Sequence, residues 1–341
     1  MSPNIDEFIK TIRRGKSSYV PVAELGVHPK IKEKIIGRPI MNLKDDVEFW
    51  NKMGYDYLKL APEVDFNPGN IGKSLSSEEK VDSVSNFNWA HEGDGIITSL
   101  NDYEKYIFPS AADFNYWKFD SINKYLPEGM GVVGQYGDIF TMTWEMMGFE
   151  KFSFALFENP DLIDLLNDKL GELVLSMFEV MAQHPSVDVL WYSDDIAFTN
   201  GLLMPPEILD KYLFKWLKKI GELAKKYNKP LIYHSDGVLF EVFERIISCG
   251  VDAIHPLEPK AMELDKVKKT VGDKLCLIGH VDVDILSRGK PEDIRQIVRK
   301  NIDVAAFNGG YCVGSSNSIP AYVNVENYIA MNKAAKEFGV L

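Results

Sequence analysis

The sequence predicts an α/β protein of the (β/α)8 TIM-type barrel class. Three observations carry that expectation. Eight short apolar runs recur along the chain, each closed by polar or glycine-rich residues and followed by an amphipathic stretch, the rhythm of parallel βα units. The chain has 341 residues, a length that suits one such barrel with additions. No G-x-G-x-x-G follows the first run, which removes the usual signature of an open dinucleotide-binding sheet.

In order, the runs are Tyr19–Glu24, Tyr55–Leu60, Gly131–Tyr136, Asp188–Tyr192, Pro230–His234, Val251–His255, Leu275–Gly279 and Gly310–Gly314. An N-terminal helical extension precedes the first. Pro205-Pro206-Glu207 opens a helix, with prolines suited to a first turn. Phe214, Leu217, Ile220, Leu223 and Ala224 give that helix an apolar stripe, and the lysines from Lys215 to Lys226 fall on its solvated face. Asp161 to Gln183 repeats the pattern, with Met177 and Met181 as core filler. The connection after the second run, residues 62–129, is long for a barrel loop. It carries Trp89, Phe108, Phe114, Tyr116, Trp117, Phe119 and Tyr125, and Gly93 to Ile97 reads as a turn entering a strand. The segment reads as a lid or subdomain near the barrel mouth, or as a satellite core that only packs. Residues 1–341 as a whole read as one barrel domain.

Composition narrows the class. Hydrophobic residues at 45% and charged residues at 26% exclude a disordered or fibrous chain. A formal charge of -12 argues against a nucleic-acid partner, which wants a basic face. No apolar run approaches the roughly 20 residues of a membrane helix. The N-terminus lacks the charged and apolar regions of a signal peptide. Cys249, Cys276 and Cys312 form no C-x-x-C pair, which excludes a disulfide scaffold and suits a reducing cytoplasm. A cytoplasmic enzyme is expected.

In a barrel the active site lies at the C-terminal strand ends. Polar residues recur there: Glu24 and His28, Pro62-Glu63, Gln135-Tyr136, Ser193-Asp194-Asp195, His234-Ser235-Asp236-Gly237, His255-Pro256-Leu257-Glu258, His280-Val281-Asp282, and Gly314 to Ser318. Residues two apart at a strand end point the same way, so His234 and Asp236 can share one ion, with Glu258 as third ligand. The other reading is a His–Asp hydrogen bond without metal. Adjacent Asp194 and Asp195 diverge, so one of them faces the pocket, to bind a hydroxyl or a cation or to cap a helix.

With these strand ends in hand, the chain resembles the uroporphyrinogen decarboxylase superfamily, which includes the corrinoid-dependent methyltransferases. The carrying pieces are Ser193 to Ile196, Leu231 to Gly237, Asp252 to Pro259, Leu277 to Asp282, Gly309 to Ile319 and Val325 to Tyr328. The resemblance implies a (β/α)8 barrel. In the thiol-methylating members a His-x-Cys pair and a later Cys hold zinc; here His234 matches, while Asp236 and Asn317 stand where the cysteines would be. True decarboxylases bind a polycarboxylate with arginines, and this chain has none between Arg38 and Arg245. What remains resembles the methyltransferase component of O-demethylase systems, which moves a methyl group from a methoxylated aromatic compound to the cobalt of a separate corrinoid protein. That resemblance implies His234, Asp236, Asp194 and Asn317 as catalytic, with Glu24, Tyr136, Asp195, His255, His280 and Trp117 against the substrate. The strand-end spacing gives zinc on His234, Asp236 and Glu258; the resemblance implies a corrinoid protein as partner, with a rim of Tyr136, Asp194, His280 and Asn317 open to it. A homodimer is allowed for. Other outcomes within the same reading are methyl transfer from the corrinoid protein to tetrahydrofolate with Asp194 as pterin anchor, a decarboxylase-like enzyme, and a barrel that binds a ligand without catalysis.

Overall fold

The computed structural model describes residues 2–64, 66 and 95–340. Trp89, Gly93 and Asp94, which the sequence reading placed in the lid segment, lie outside the described residues. Seven strands form one curled parallel sheet in chain order: β1 Tyr57–Leu60, β2 Gly131–Gly137, β3 Val189–Ser193, β4 Leu231–His234, β5 Ala253–Leu257, β6 Cys276–Val281 and β7 Tyr311–Ser315. They match seven of the eight expected runs. Their interior positions are almost wholly buried, as a parallel sheet covered by helices requires.

The first run, Tyr19–Glu24, differs from the expectation. It lies beside β7 through a single parallel bridge, Val22 to Val313, instead of a ladder. Ala23 N–H donates to Val313 O at 2.8 Å and Val313 N–H to Pro21 O at 2.9 Å. Pro21 has no N–H to give, which limits the run to these bonds. On its other side a side chain reaches across to β1. The Tyr57 hydroxyl sits 3.0 Å from both the N and the O of Glu24.

Helix Ile5–Ile12 begins with Asn4, whose side chain accepts from the N–H groups of Asp6 and Glu7. Ile5 N–H donates to Gly129 O, just before β2, and Phe8 packs on Tyr57 with ring centroids 4.7 Å apart. The helix thus covers the N-terminal end of the strands, opposite the strand ends that carry the site. Helix Pro160–Gln183 buries Met177 and Met181 as expected. Its Gly171 is required, since a Cβ there would lie 2.0 Å from the ring of Trp216 on helix Lys215–Lys226.

The described part of 62–129 makes an antiparallel bridge between Glu63 and Asn115. Phe119 and Ile122 are buried, and Ser186 Oγ donates to Phe119 O. Phe66 lies against Tyr136, ring centroids 6.4 Å apart. No helix among the described residues is long and apolar enough to cross a membrane.

Candidate metal centre

Four strand ends stand in register: Gly137 opposite Ser193, Ser193 opposite His234, and His234 opposite His255. The residues just beyond them therefore converge. Asp236 N–H donates to Asp195 Oδ1 at 2.8 Å, and Ser235 Oγ accepts from Ile196 N–H at 3.0 Å, tying the two turns together. Gly237 has φ +84°, and a Cβ there would lie 2.6 Å from backbone atoms of Ala197 and Phe198. Only glycine fits this turn.

The turns bring Asp195, His234 and Asp236 together, with one ligand atom from each lying within 4.8 Å of the others. His234 Nε2 is 3.5 Å from Asp195 Oδ1 and 3.9 Å from Asp236 Oδ1. Asp236 Oδ2 accepts from Asn317 Nδ2 at 2.7 Å. Asp236 Oδ1 is buried and meets no hydrogen-bond partner among the described residues. Burial, reinforced by the charges of Asp195 and Glu258, raises the Asp236 pKa. Burial pushes the His234 pKa down, against the pull of Asp195, so the imidazole stays neutral.

Glu258, expected as the third ligand, accepts from Gly237 N–H at 2.6 Å and lies outside the cluster, which Asp195 completes. The turn after β4 folds back far enough for its own backbone to occupy Glu258. Asp194 and Asp195 do diverge. Asp194 is fully buried and accepts from Phe140 N–H (2.7 Å), Thr141 N–H (2.9 Å) and Tyr192 Oη–H (2.6 Å). It anchors the start of helix Ile139–Met147 from a fully buried position. Burial raises its pKa to about 6, against the Tyr192 hydrogen bond.

Other residues expected against substrate lie deeper or farther out. Glu24 is buried and accepts from both the N–H and the hydroxyl of Ser315, at 2.6 and 2.7 Å. His255 is fully buried behind His234. Trp117 is 44% exposed and donates to Glu63. Tyr136 is half-buried beside Phe66. His280 carries a left-handed φ of 76°, and its Nδ1 is buried without a partner among the described residues. The three cysteines are buried thiols. A cavity of about 330 Å³ opens beside the cluster, lined in part by Glu258, Lys260, Asp282, Ser316, Asn317 and Tyr322.

Two residues escaped the sequence reading. Lys59, in β1, is half-buried, and burial with the nearby Lys32 charge lowers its pKa to about 8. Its charge helps keep both His234 and His255 neutral. A lysine inside the apolar run Tyr57-Leu58-Lys59-Leu60 was the available signal. Asp138 follows β2 with a left-handed φ of 67°, and burial together with Asp194 and Asp195 pushes its pKa well up.

Residues 96–338 match the family model described as uroporphyrinogen decarboxylase (URO-D). The chain belongs to the uroporphyrinogen decarboxylase family. Among curated members it is 25% identical over 188 residues to the uroporphyrinogen decarboxylase of Aliivibrio salmonicida, covering 52% of this chain and 50% of that protein. It is 24% identical over 195 residues to that of Pseudoalteromonas translucida, covering 56% and 52%. The chain thus spans about half the length of these relatives. This URO-D family member also superposes on a solved methyltransferase from Methanosarcina mazei with a TM-score of 0.68 and 16% identity, covering 97% of this chain and 98% of that one. That likeness establishes the barrel-type fold.

Proposed function

We propose that this family member is a methyltransferase that takes a methyl group from a methoxylated aromatic compound and passes it to the cobalt of a separate corrinoid protein. The observation that carries the reading is the Asp195–His234–Asp236 cluster at the ends of β3 and β4. By the resemblance, its His234 and Asp236 take the positions of the His-x-Cys pair that holds zinc in the thiol-methylating members.

The residues fit a divalent cation. Separations of 3.5 and 3.9 Å between His234 Nε2 and the two carboxylates are those of ligands held about 2.0–2.2 Å from one ion. The unpartnered Asp236 Oδ1 is the buried atom a ligand would satisfy. A set of one imidazole and two carboxylates, without thiolate, accepts zinc and also other first-row divalent ions. When bound, such an ion supplies Lewis acidity at the ether oxygen of the methyl donor.

The chain's own groups do the rest. A phenolic oxygen leaves a methyl carbon only when its developing charge is met. Without an ion on Oδ1, the raised pKa of Asp236 lets this carboxyl hold a proton there and give it to that oxygen; an ion on Oδ1 would displace that proton and supply Lewis acidity in its stead. Asn317 fixes the other oxygen and so the direction of Oδ1. His234 stays neutral and keeps a nitrogen lone pair toward the cluster.

The names of the curated relatives favour a second reading, porphyrinogen decarboxylation. The arginines weigh against it. Arg13 and Arg14 bond backbone carbonyls, Arg38, Arg245, Arg288 and Arg295 pair with carboxylates, and Arg299 lies over Phe338. None lines the cavity or the cluster, whose lining is acidic.

Anaerobic incubation of the purified protein with cob(I)alamin and a panel of methoxyarenes tests the proposal. Methyl–cobalt product, read from its absorption spectrum, should appear with an equal amount of phenol. No transfer with any donor, together with carbon dioxide release from uroporphyrinogen, would replace this reading by the second.

A further inference from the structure

His234 and His255 face each other across the β4–β5 ladder. Their ring planes are inclined by 29°, with centroids 5.0 Å apart, and the two Nδ1 atoms are 2.8 Å from each other, so the rings meet edge to edge. His255 is fully buried, with Trp191 edge-on against its other side at 4.9 Å. Its Nε2 meets no partner among the described residues, and among them its Nδ1 bond to His234 is the hydrogen bond that holds the ring.

Two imidazole nitrogens at this distance share a single proton: one donates and the other accepts. We propose that His255 is a positioning residue, the acceptor that lets His234 carry its proton on Nδ1 and present the bare Nε2 to a metal ion. The inference rests on the metal reading of the Asp195–His234–Asp236 cluster. A ligating nitrogen cannot keep its hydrogen, so a metal on His234 Nε2 obliges Nδ1 to hold the proton. That Nδ1–H is buried and would cost free energy if left unpaired. A ligating histidine ordinarily gives its second N–H to a carboxylate, a backbone carbonyl or water. Here the neighbouring strand supplies another histidine. No proton is gained or lost by the pair itself. With metal bound, the shared proton sits on His234 and the remaining hydrogen of His255 on Nε2.

The test uses the full chain and two substitutions. His255→Asn keeps an acceptor oxygen near the position of Nδ1, and His255→Leu removes it while filling the space. Zinc affinity, measured by competition with a chromophoric chelator, should fall about 10–100-fold in His255→Leu and recover much of that in His255→Asn. In the zinc-loaded wild type, nitrogen-15 NMR should place the hydrogen of His234 on Nδ1, a readout that needs no activity and no folded variant. Wild-type binding with equal affinity in His255→Leu, or zinc on Nδ1 of His234, overturns the inference and leaves the metal site standing. A wild type that binds no divalent ion overturns the metal reading itself and this inference with it.

Discussion

Asn317 Nδ2 donates to Asp236 Oδ2 across 2.7 Å, joining the loop after the last strand to the turn after the fourth. One carboxylate oxygen is thereby fixed, and the other, Oδ1, is left buried and unpartnered among the described residues. The loop that holds Asn317 is itself pinned. Ser315 gives both its N–H and its hydroxyl to Glu24, and Asn317 N–H reaches Ser315 Oγ at 3.5 Å. A chain of polar contacts thus runs from the first apolar run of the sequence to the candidate metal ligand.

Asn317 acts on metal through Asp236. Asn317→Ala should leave Asp236 free to rotate and lower zinc affinity about tenfold, the range for lost outer contacts. Chelator competition on wild type and variant measures this. Unchanged affinity would mean that the turn after β4 orients Asp236 unaided.

The ligand set separates Asp195 from Glu258. Asp195→Asn keeps an oxygen for Asp236 N–H but removes the negative charge, and zinc content after dialysis should drop to background, as in His234→Ala. Glu258→Gln should retain zinc, because its carboxylate is engaged by Gly237 N–H. Elemental analysis reads all three. Loss in Glu258→Gln with retention in Asp195→Asn would restore the set expected from sequence.

Much of this site is legible in the sequence because each βα unit ends in polar residues at a fixed place. His234 and Asp236 are found by that spacing alone. Which of Asp194 and Asp195 faces inward is not, since it depends on Phe140 and Thr141, some 50 residues earlier, offering N–H groups below the rim. The first run, Tyr19–Glu24, reads as a strand because it is a short apolar run closed by a polar residue, and Pro21 is the residue that limits its ladder. Lys59 is hidden by its neighbours: a lysine in an apolar run reads as a solvated edge until its surroundings are known.

Asn167 holds three elements at once. From helix Pro160–Gln183 it donates to Thr143 Oγ1 (3.0 Å) and Tyr212 O (2.9 Å), and its Oδ1 accepts from Trp216 Nε1 (2.8 Å). All of this is buried. Asn167→Leu leaves the buried Trp216 indole N–H unpaired, at a cost of about 1–3 kcal/mol, and removes the amide's bonds to Tyr212 O and Thr143 Oγ1 as well. A loss of about 3 kcal/mol in denaturant unfolding is expected. A loss under about 1 kcal/mol would mean that water replaces the side chain.

Glu24 makes stability depend on pH. Burial raises its pKa from 4.5 to about 8, in spite of the two hydrogen bonds from Ser315. Between these values the folded chain holds a proton that the unfolded chain has released. Stability therefore falls as pH rises from about 4.5 toward 8, by up to about 1.4 kcal/mol per pH unit for this one group. Above about 8 both states are ionised and the slope ends. Glu24→Gln removes the titration while keeping the shape: its Oε1 can accept from Ser315 N–H and its Nε2 can donate to Ser315 Oγ. The variant should match or fall below the wild type near pH 5 and exceed it near pH 8.5. Urea unfolding of both proteins at several pH values gives the difference directly, with other titrating groups cancelling. A difference that stays constant from pH 5 to 8.5 would mean that Glu24 remains ionised in the fold, with Ser315 compensating its burial. In that case the loop bearing Asn317 would be anchored by a charge, and Glu24→Gln should weaken zinc binding at every pH.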